Sequence, residues 1–289
     1  MAVLEACPVC SGQNLRDIDF RSKQGLGEFP IRECAGCTHR FVTNGPSDED
    51  LQAYYDEFFR ADQRQSKPLG ATWRDRALAR TLVHELPRNA RVLDIGANFG
   101  ETLLAMPRTY TLEGVELSAT AAAVAARHRR LCIHRGFFET IAPNLPAGEY
   151  DAVIALAVIE HLRSPREFLG QVVRLLRPGG IAVLTTGDYA TWNVRRLGAA
   201  WPLYHCDGHM HFFSGKSLEN ACASTGLQVY SRIWSGPNPI TYRLPAPLGR
   251  PLHCRTTSIA LPFLFGRRPW GDLIYIWCRK ENSSPVCDT

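Results

Sequence analysis

The sequence predicts an α/β fold with a mostly parallel sheet, and three observations support this prediction. First, Val92 to Ile95 form a short apolar run with β-branched residues, as a buried strand requires, and a glycine-containing turn follows. Second, the stretch that begins at Glu101 can open a helix directly after that turn. Third, Thr111 to Val115 form another strand, which ends in the acidic Glu116. Strand, glycine turn, helix and strand are how a Rossmann-type nucleotide site begins.

The middle position of the glycine turn narrows the class of ligand. Dinucleotide sites have a glycine there, so that the backbone can approach a pyrophosphate. Here the position is Asn98, which tolerates the left-handed conformation but adds bulk and a polar side chain. We therefore expect a ligand without a pyrophosphate group, and an ordinary strand-to-helix turn is the alternative.

The string Asp94-x-Gly96-x-Asn98-x-Gly100, followed by the acidic end of the next strand, resembles motif I of the class I S-adenosylmethionine-dependent methyltransferases. This resemblance implies a Rossmann-like sheet of seven strands whose last pair is antiparallel, with S-adenosylmethionine as methyl donor. It places Glu116 on the ribose hydroxyls, and an aromatic residue against the adenine, so one of two adjacent phenylalanines would stack there while the other packs in the core. The cofactor-binding residues that it implies are Asp94, Gly96, Asn98, Gly100, Glu116, Leu117, Phe137, Phe138 and Ala155.

Later segments fit the same family in order. A mostly apolar run, Tyr150 to Leu156, predicts a central parallel strand, and the Glu160-His161 dipeptide after it resembles motif IV. No N-P-P-Y or D-P-P-Y string is present, so the sequence does not resemble the amino-methylases that act on adenine or cytosine. The remaining predicted elements are a helix over 118–130 with Ser118 as its cap, a strand over 131–134, a helix from Pro165 to Leu176, a turn over 177–180, a helix that opens at 214–218 and ends at Gly226, and strands over 181–185, 227–234 and 272–279.

Two C-x-x-C pairs near the N-terminus predict a zinc ribbon. Cys7 and Cys10 form the first pair, and Cys34 and Cys37 form the second. Together they supply the four thiolates of a tetrahedral structural zinc site. Two unrelated reduced pairs, or one redox pair, are the alternatives, but a redox pair normally begins a helix in a βαβ unit.

Between the ribbon and the core, the sequence predicts helices. One begins at Ser47 or Asp48 and carries Tyr54 and Tyr55 on one face, where they pack or close over a substrate. A second helix runs from about Trp73 to Glu85. The predicted domains are a zinc ribbon over 1–45, a helical linker or lid over 46–88, and a methyltransferase domain over 89–289.

The last of these domains carries a proline-rich insertion at about 236–271, which is too long for a simple hairpin loop. It contains one apolar stretch over 259–265, followed by Arg267 and Arg268. A substrate lid, a dimer contact, a weak membrane-surface patch and plain packing under a loop are all compatible with it.

The acceptor side is predicted from a histidine-rich segment after the fifth sheet strand. Its three histidines, His205, His209 and His211, are candidate general bases, because an imidazole titrates near neutral pH, and His161 competes with them because it follows the fourth sheet strand at the same edge. Tyr204 opens the segment and is a candidate substrate residue. A metal site among the three histidines of the segment is the less favoured alternative.

The ribbon, the tyrosine helix and the string His209-x-x-Phe-Phe-Ser resemble a group of zinc-ribbon methyltransferases that includes deoxysugar C-methyltransferases. The resemblance places the proposed base of that group on His209. Two departures stand against a sugar substrate and against C-methylation. Gly208 occupies the position of a glutamate, and the extra C-terminal domain of the group has no counterpart after the last predicted strand.

Composition sets the remaining expectations. A net charge of +5 permits an anionic substrate without requiring nucleic acid, and no apolar run has the length of a membrane span. The first residues do not resemble a secretory signal, so we expect a reducing cytoplasm. The predicted activity is methyl transfer to a small molecule, such as a sugar, a glycan precursor or another natural-product intermediate. The alternatives are an RNA methyltransferase with a zinc-finger substrate module and a non-catalytic protein with the donor fold; the ribbon lacks the dense basic run expected of an RNA-binding module.

Overall fold

The computed structural model describes residues 4–61, 70–235 and 271–281 of the chain. Most of the predicted insertion and the polar loop before residue 70 lie outside these ranges. The strands are β1 (Leu15–Gln24), β2 (Gly27–Cys34), β3 (Arg40–Val42), β4 (Arg91–Ile95), β5 (Thr111–Glu116), β6 (Leu131–Arg135), β7 (Tyr150–Leu156), β8 (Leu176–Gly187), β9 (His211–Phe212), β10 (Leu227–Ser235) and β11 (Leu273–Lys280). The helices are α1 (Asp48–Ala61), α2 (Trp73–Glu85), α3 (Glu101–Leu104), α4 (Ala119–Ala125), α5 (Phe138–Ile141), α6 (Pro165–Leu175), α7 (Trp192–Leu197) and α8 (Gly215–Ala223).

The larger sheet has seven strands in the order β10-β11-β8-β7-β4-β5-β6. Strands β8, β7, β4, β5 and β6 are parallel, and β11 is antiparallel to both of its neighbours. The predicted seven-stranded α/β sheet with an antiparallel last pair is therefore confirmed. Since parallel strands end at a common edge, β4, β5 and β7 bring their following loops together at one side of the sheet.

Both faces of this sheet are covered. Val92 and Leu93 are consecutive in β4, so their side chains point to opposite faces of the sheet. Both are fully buried, because both faces are covered. Val92 packs with Leu82 of α2, whereas Leu93 belongs to the cluster that contains Phe168 of α6. Burial on two sides explains why residues 152–156 of β7 form a continuous apolar run rather than an alternating one.

Two helix starts follow the predicted capping chemistry. The Ser47 hydroxyl accepts the Asp50 N–H at the beginning of α1, and the Asp50 carboxylate in turn accepts the Ser47 N–H. Ser118 caps α4, which ends earlier than predicted, at Ala125, because the chain continues in tighter turns. Strand β8 starts before the predicted Ile181, since the Arg177–Gly180 stretch is already part of the strand.

The smaller sheet combines the N-terminal segment with a distant part of the chain. Its order is β1-β2-β3-β9, and β9 pairs antiparallel with β3. Its apolar side packs on the segment after β8, where Trp201, Tyr204 and Phe212 are buried together. The smaller sheet therefore extends beyond the predicted ribbon over 1–45, because its fourth strand, β9, comes from His211–Phe212. No helix among the described residues has the length and apolarity needed to cross a membrane.

Candidate functional site

The turn between β4 and α3 has left-handed backbone at alternate positions. Gly96, Asn98 and Gly100 have φ values of 74°, 53° and 85°. A side chain at Gly96 would meet Val158 Cγ2 at 2.7 Å, so glycine leaves the room that the turn needs. Asn98 holds its own conformation, because its Oδ1 accepts the Phe99 N–H at 2.8 Å.

A buried carboxylate lies directly beside this turn. Glu116, 5% exposed, ends β5, where Oε2 accepts the Asn98 N–H at 2.8 Å and Oε1 accepts the Ser118 N–H at 2.7 Å. Burial raises the pKa of Glu116, although these backbone donors favour the charged form. Since each carboxylate oxygen has a second lone pair, Glu116 retains acceptor capacity toward a ligand.

The turn and Glu116 form one wall of a cleft of about 640 Å³. The described lining residues include six of the sequence-predicted cofactor residues: Gly96, Asn98, Glu116, Leu117, Phe137 and Phe138. Asp94, Gly100 and Ala155 are not among them. Asp94 and Ala155 are buried beneath the cleft, and burial raises the pKa of Asp94.

The two phenylalanines differ in burial. Phe138 is buried and meets Phe168 edge to face at a centroid distance of 5.3 Å, whereas Phe137 is half-buried. Of the two, Phe137 has the more accessible ring at the cleft.

Sequence reasoning missed the residues that follow β7. Ala157 and Val158, together with Leu156 at the end of β7, line the cleft, and Val158 lies next to Gly96 of the glycine turn. Ala157 has a φ of 55°, an unfavourable value for a residue with a side chain, and its N–H donates to the Thr185 carbonyl. The position alone, just past the carboxyl end of a central parallel strand, would have pointed to these residues.

Two histidines face each other at the far end of the cleft. The rings of His161 and His209 meet edge to face with centroids 4.6 Å apart, and both line the cleft. His209 Nδ1 lies 3.0 Å from the Leu203 carbonyl oxygen, which only accepts, so Nδ1 carries the proton and Nε2 the lone pair. Burial lowers the pKa of His209 to about 4 and that of His161 well below its usual value.

A buried glutamate joins this pair. Glu160 is 3% exposed, its Oε2 has no hydrogen-bond partner among the described residues, and burial raises its pKa to about 7. Glu160, His161 and His209 each offer one potential ligand atom, and the three atoms lie within 4.8 Å of one another. The structure therefore assembles a different trio from the one that the sequence suggested, since His205 and His211 make other contacts. His205 binds the Lys23 N–H, and His211 binds His39 and the Leu162 carbonyl.

The predicted substrate tyrosines are separated in space. Tyr54 and Tyr55 both line the cleft, and the Tyr55 hydroxyl lies 2.8 Å from His161 Nδ1. Tyr204, in contrast, is 1% exposed and packs against Trp201 and Phe212. Its hydroxyl accepts a hydrogen bond from Arg40 at 2.7 Å, so it braces the smaller sheet and is not among the described cleft residues.

The four N-terminal cysteines converge as the spacing predicts. The Sγ atoms of Cys7 and Cys37, and those of Cys10 and Cys34, are 3.5 Å apart. Zn–S bonds of about 2.3 Å in a tetrahedron require S···S separations of about 3.8 Å, close to these values. A side chain at Gly12 would lie 3.3 Å from both Cys10 Sγ and Cys34 Sγ, so glycine keeps the sulfur cluster clear. The set therefore fits a zinc ion.

Comparison with known proteins identifies relatives of the part of the chain that contains the larger sheet and the cleft. A family model described as "Methyltransferase domain" matches residues 63–232. Ubiquinone biosynthesis O-methyltransferase from Aromatoleum aromaticum is 28% identical over 52% of this chain and 69% of its own length. The protein of the same name from a Caulobacter species is 34% identical over 53% of this chain and 65% of its own length.

Solved structures share the fold at lower identity. A sarcosine dimethylglycine methyltransferase, so described, from Galdieria sulphuraria matches with a TM-score of 0.55 and 14% identity, over 82% of this chain and 100% of its own. The [4+2]-cyclase SpnF matches with a TM-score of 0.56 and 16% identity, over 83% of this chain and 99% of its own. The fold thus accommodates more than one reaction, and the side chains of the site have to decide between them.

Proposed function

The chain belongs to the methyltransferase-domain family and is an S-adenosylmethionine-dependent methyltransferase, and from that premise we propose that it methylates a hydroxyl group of a small, uncharged acceptor. The observation that carries this proposal is the joining, in one cleft, of the donor turn and the His161–His209 pair. O-methylation is the reaction named for the two relatives reported above.

The charges of the cleft support an uncharged acceptor. Asp48, Glu139, Glu167 and Asp207 line it together with Glu116. Arg163 is the one Lys or Arg among the described lining residues, and it binds Asp48 at 2.6 Å and the Pro46 carbonyl at 2.7 Å. A phosphate or a nucleic-acid backbone would therefore meet an excess of carboxylates, which disfavours nucleotide-linked sugars and RNA.

The proposed chemistry assigns a task to each part of the cleft. Asn98, Glu116 and Phe137 would hold the donor, which supplies a methyl group on a sulfonium that leaves readily. The side chains of Leu51, Tyr54 and Tyr55 on one wall of the cleft would orient the acceptor hydroxyl for in-line attack. As the oxygen–carbon bond forms and the sulfur–carbon bond breaks, His209 Nε2 would take the hydroxyl proton. The cysteine cluster would hold a structural zinc ion away from this chemistry.

The first experiment measures donor binding by calorimetry. Glu116→Ala should weaken S-adenosylmethionine binding by about 1.5–3 kcal/mol, the usual worth of hydrogen bonds to a charged group. Glu149→Ala is the control, because Glu149 is an exposed carboxylate paired with Arg91 before β7. Equal donor affinity in both variants would reject the assignment of Glu116.

The second experiment identifies the acceptor class. The enzyme is incubated with methyl-labelled donor and three pools: uncharged hydroxylated aromatics, nucleotide-diphosphate sugars, and total RNA. Label in the first pool is expected. Label confined to either of the phosphate-bearing pools would refute an uncharged acceptor.

A further inference from the structure

The loop that carries His209 is held by the tip of a hairpin from the other end of the chain. Strands β1 and β2 form this hairpin, and Gly25 and Leu26 make its turn. Ser22 donates to the Tyr204 carbonyl at 2.5 Å, the Lys23 N–H donates to His205 Nδ1 at 3.1 Å, and the Gly25 N–H donates to Asp207. Contacts therefore run along the loop from residue 204 to residue 209.

Gln24 makes the contacts nearest to the reacting end of the cleft. Its Oε1 accepts the Gly208 N–H at 2.9 Å, and its Nε2 donates to the His209 carbonyl at 2.9 Å. One side-chain amide thus binds the backbone on both sides of the Gly208–His209 step. Nε2 also donates to Ser22 Oγ at 2.8 Å, which fixes the amide itself.

Other contacts also hold the Gly208–His209 step, among them the bond from the His209 N–H to the Cys206 carbonyl at 3.2 Å, and Gln24 adds the acceptor for the Gly208 N–H and a donor for the His209 carbonyl. Gly208 has a left-handed φ of 77°, and a side chain there would lie 3.2 Å from His161 Nδ1 and 3.1 Å from Leu51. The close approach lets the Gly208 carbonyl lie 3.1 Å from His161 Nδ1. A shift of this step would therefore move His209 and the His161 contact together.

We propose that Gln24 is a positioning residue for methyl transfer, which fixes the backbone of Gly208 and His209 so that the His209 ring faces the acceptor. The inference rests on the proposed function only for the role of His209. Gln24 is not among the described cleft residues, so it acts through the loop and not on the substrate. Displacement of a reacting group by about 1 Å is enough to cost on the order of 10²-fold in rate.

The test compares two nearly isosteric variants of the full chain. Gln24→Met removes both contacts to the loop with little change in size. Tyr189→Phe is the matched control, because it removes another side-chain hydrogen bond across the same interface, from the Tyr189 hydroxyl to the Thr38 carbonyl. Turnover, the KM of each substrate, donor affinity and thermal midpoint are measured for both.

We expect kcat of Gln24→Met to fall by about 10- to 100-fold, with donor affinity within about twofold of the parent. Tyr189→Phe should lose a comparable amount of thermal stability and keep its kcat. Unchanged kcat in Gln24→Met, or an equal loss in Tyr189→Phe, would overturn the proposal.

Hydrogen exchange separates this proposal from the assignment of the base. Peptides that span 204–210 should exchange faster in Gln24→Met than in the parent, whatever the reaction is, because the Gly208 N–H loses its acceptor. Unchanged exchange would refute the clamp itself. If His209→Ala turns over normally while Gln24→Met is slow, the base assignment fails and the positioning role passes to the His161 contact.

Discussion

The rings of His161 and His209 meet edge to face, 4.6 Å between centroids, and one loop step connects them through the Gly208 carbonyl. In both rings Nδ1 lies beside a backbone carbonyl oxygen, that of Gly208 for His161 and that of Leu203 for His209, so each ring carries its lone pair on Nε2. The Tyr55 hydroxyl holds His161 in addition, and we propose His209 as the base with His161 as the alternative.

Replacement of His209 should therefore affect chemistry and spare donor binding. We expect His209→Ala to reduce turnover by about 10²–10⁴-fold, the usual share of general acid–base catalysis, with an unchanged donor dissociation constant. His84→Ala, at an exposed position in the last turn of α2, is the control for loss of an imidazole. Normal turnover in His209→Ala combined with a slow His161→Ala would transfer the role to His161.

The pH dependence of turnover follows from the buried state of His209. Burial lowers its pKa to about 4, so the ring remains neutral and able to accept a proton through the neutral range. In a Glu160→Gln background, which removes the neighbouring carboxyl whose pKa burial raises to about 7, activity should be level from about pH 8 to about pH 5 and fall only as the pH approaches the lowered pKa of His209. Circular dichroism at each pH checks that the enzyme stays folded. An acid limb near pH 6.5, the value of an ordinary imidazole, would contradict a buried base.

Removal of two cysteines should abolish metal binding. A Cys34→Ser, Cys37→Ser double variant should lose a zinc content of about one ion per chain, because tetrahedral thiolate sites need all four ligands. Cys132→Ser is the control at an exposed cysteine of β6. Elemental analysis after dialysis provides the measurement, and zinc retained in the double variant would disprove the assignment.

The left-handed backbone at Ala157 predicts a stabilising substitution. The conformation costs a residue with a Cβ about 1–2 kcal/mol, and glycine avoids that cost while losing about 0.5–1 kcal/mol to its freer unfolded chain. Ala157→Gly should therefore raise the free energy of unfolding by up to about 1 kcal/mol. The control is Ala155→Gly, two positions earlier, within β7 and without a positive φ, which should destabilise the protein. Urea unfolding distinguishes the two, and a loss of stability in both variants would argue against strain at Ala157.

Local sequence patterns were sufficient to predict helix α2, strand β7 and the turn that contains Asn98. The run from Tyr150 to Leu156 is the strand β7, and helix α2 has the predicted ends. Asn98 has the left-handed φ that its residue type suggested. These features depend on neighbours within a few positions, so hydrophobic period, caps and turn chemistry contain the necessary information.

The loop over 204–209 depends on contacts between residues that are distant in sequence, so its structure could not be predicted in the same way. Gln24 meets His209 across 185 positions, and Tyr204 meets Arg40 across 164. No periodicity encodes such pairs. In the sequence, Gly208 is only a departure from a family pattern. The structure supplies the reason for the glycine, because Leu51, His161 and Tyr55 occupy the space that a side chain would need.

The pairing of β3 with β9 also affects how the protein is made. His39 and His211 are bonded across 172 positions, so the N-terminal sheet lacks its last strand until most of the chain has left the ribosome. Closing so long a loop is slow, and an unfinished sheet edge is prone to pair with other chains. During this interval a zinc ion on the four cysteine thiolates would add to the backbone ladders that join β1 to β2 and β2 to β3. A shortage of zinc during synthesis should therefore reduce the yield of soluble protein more than zinc removal reduces the stability of the finished chain.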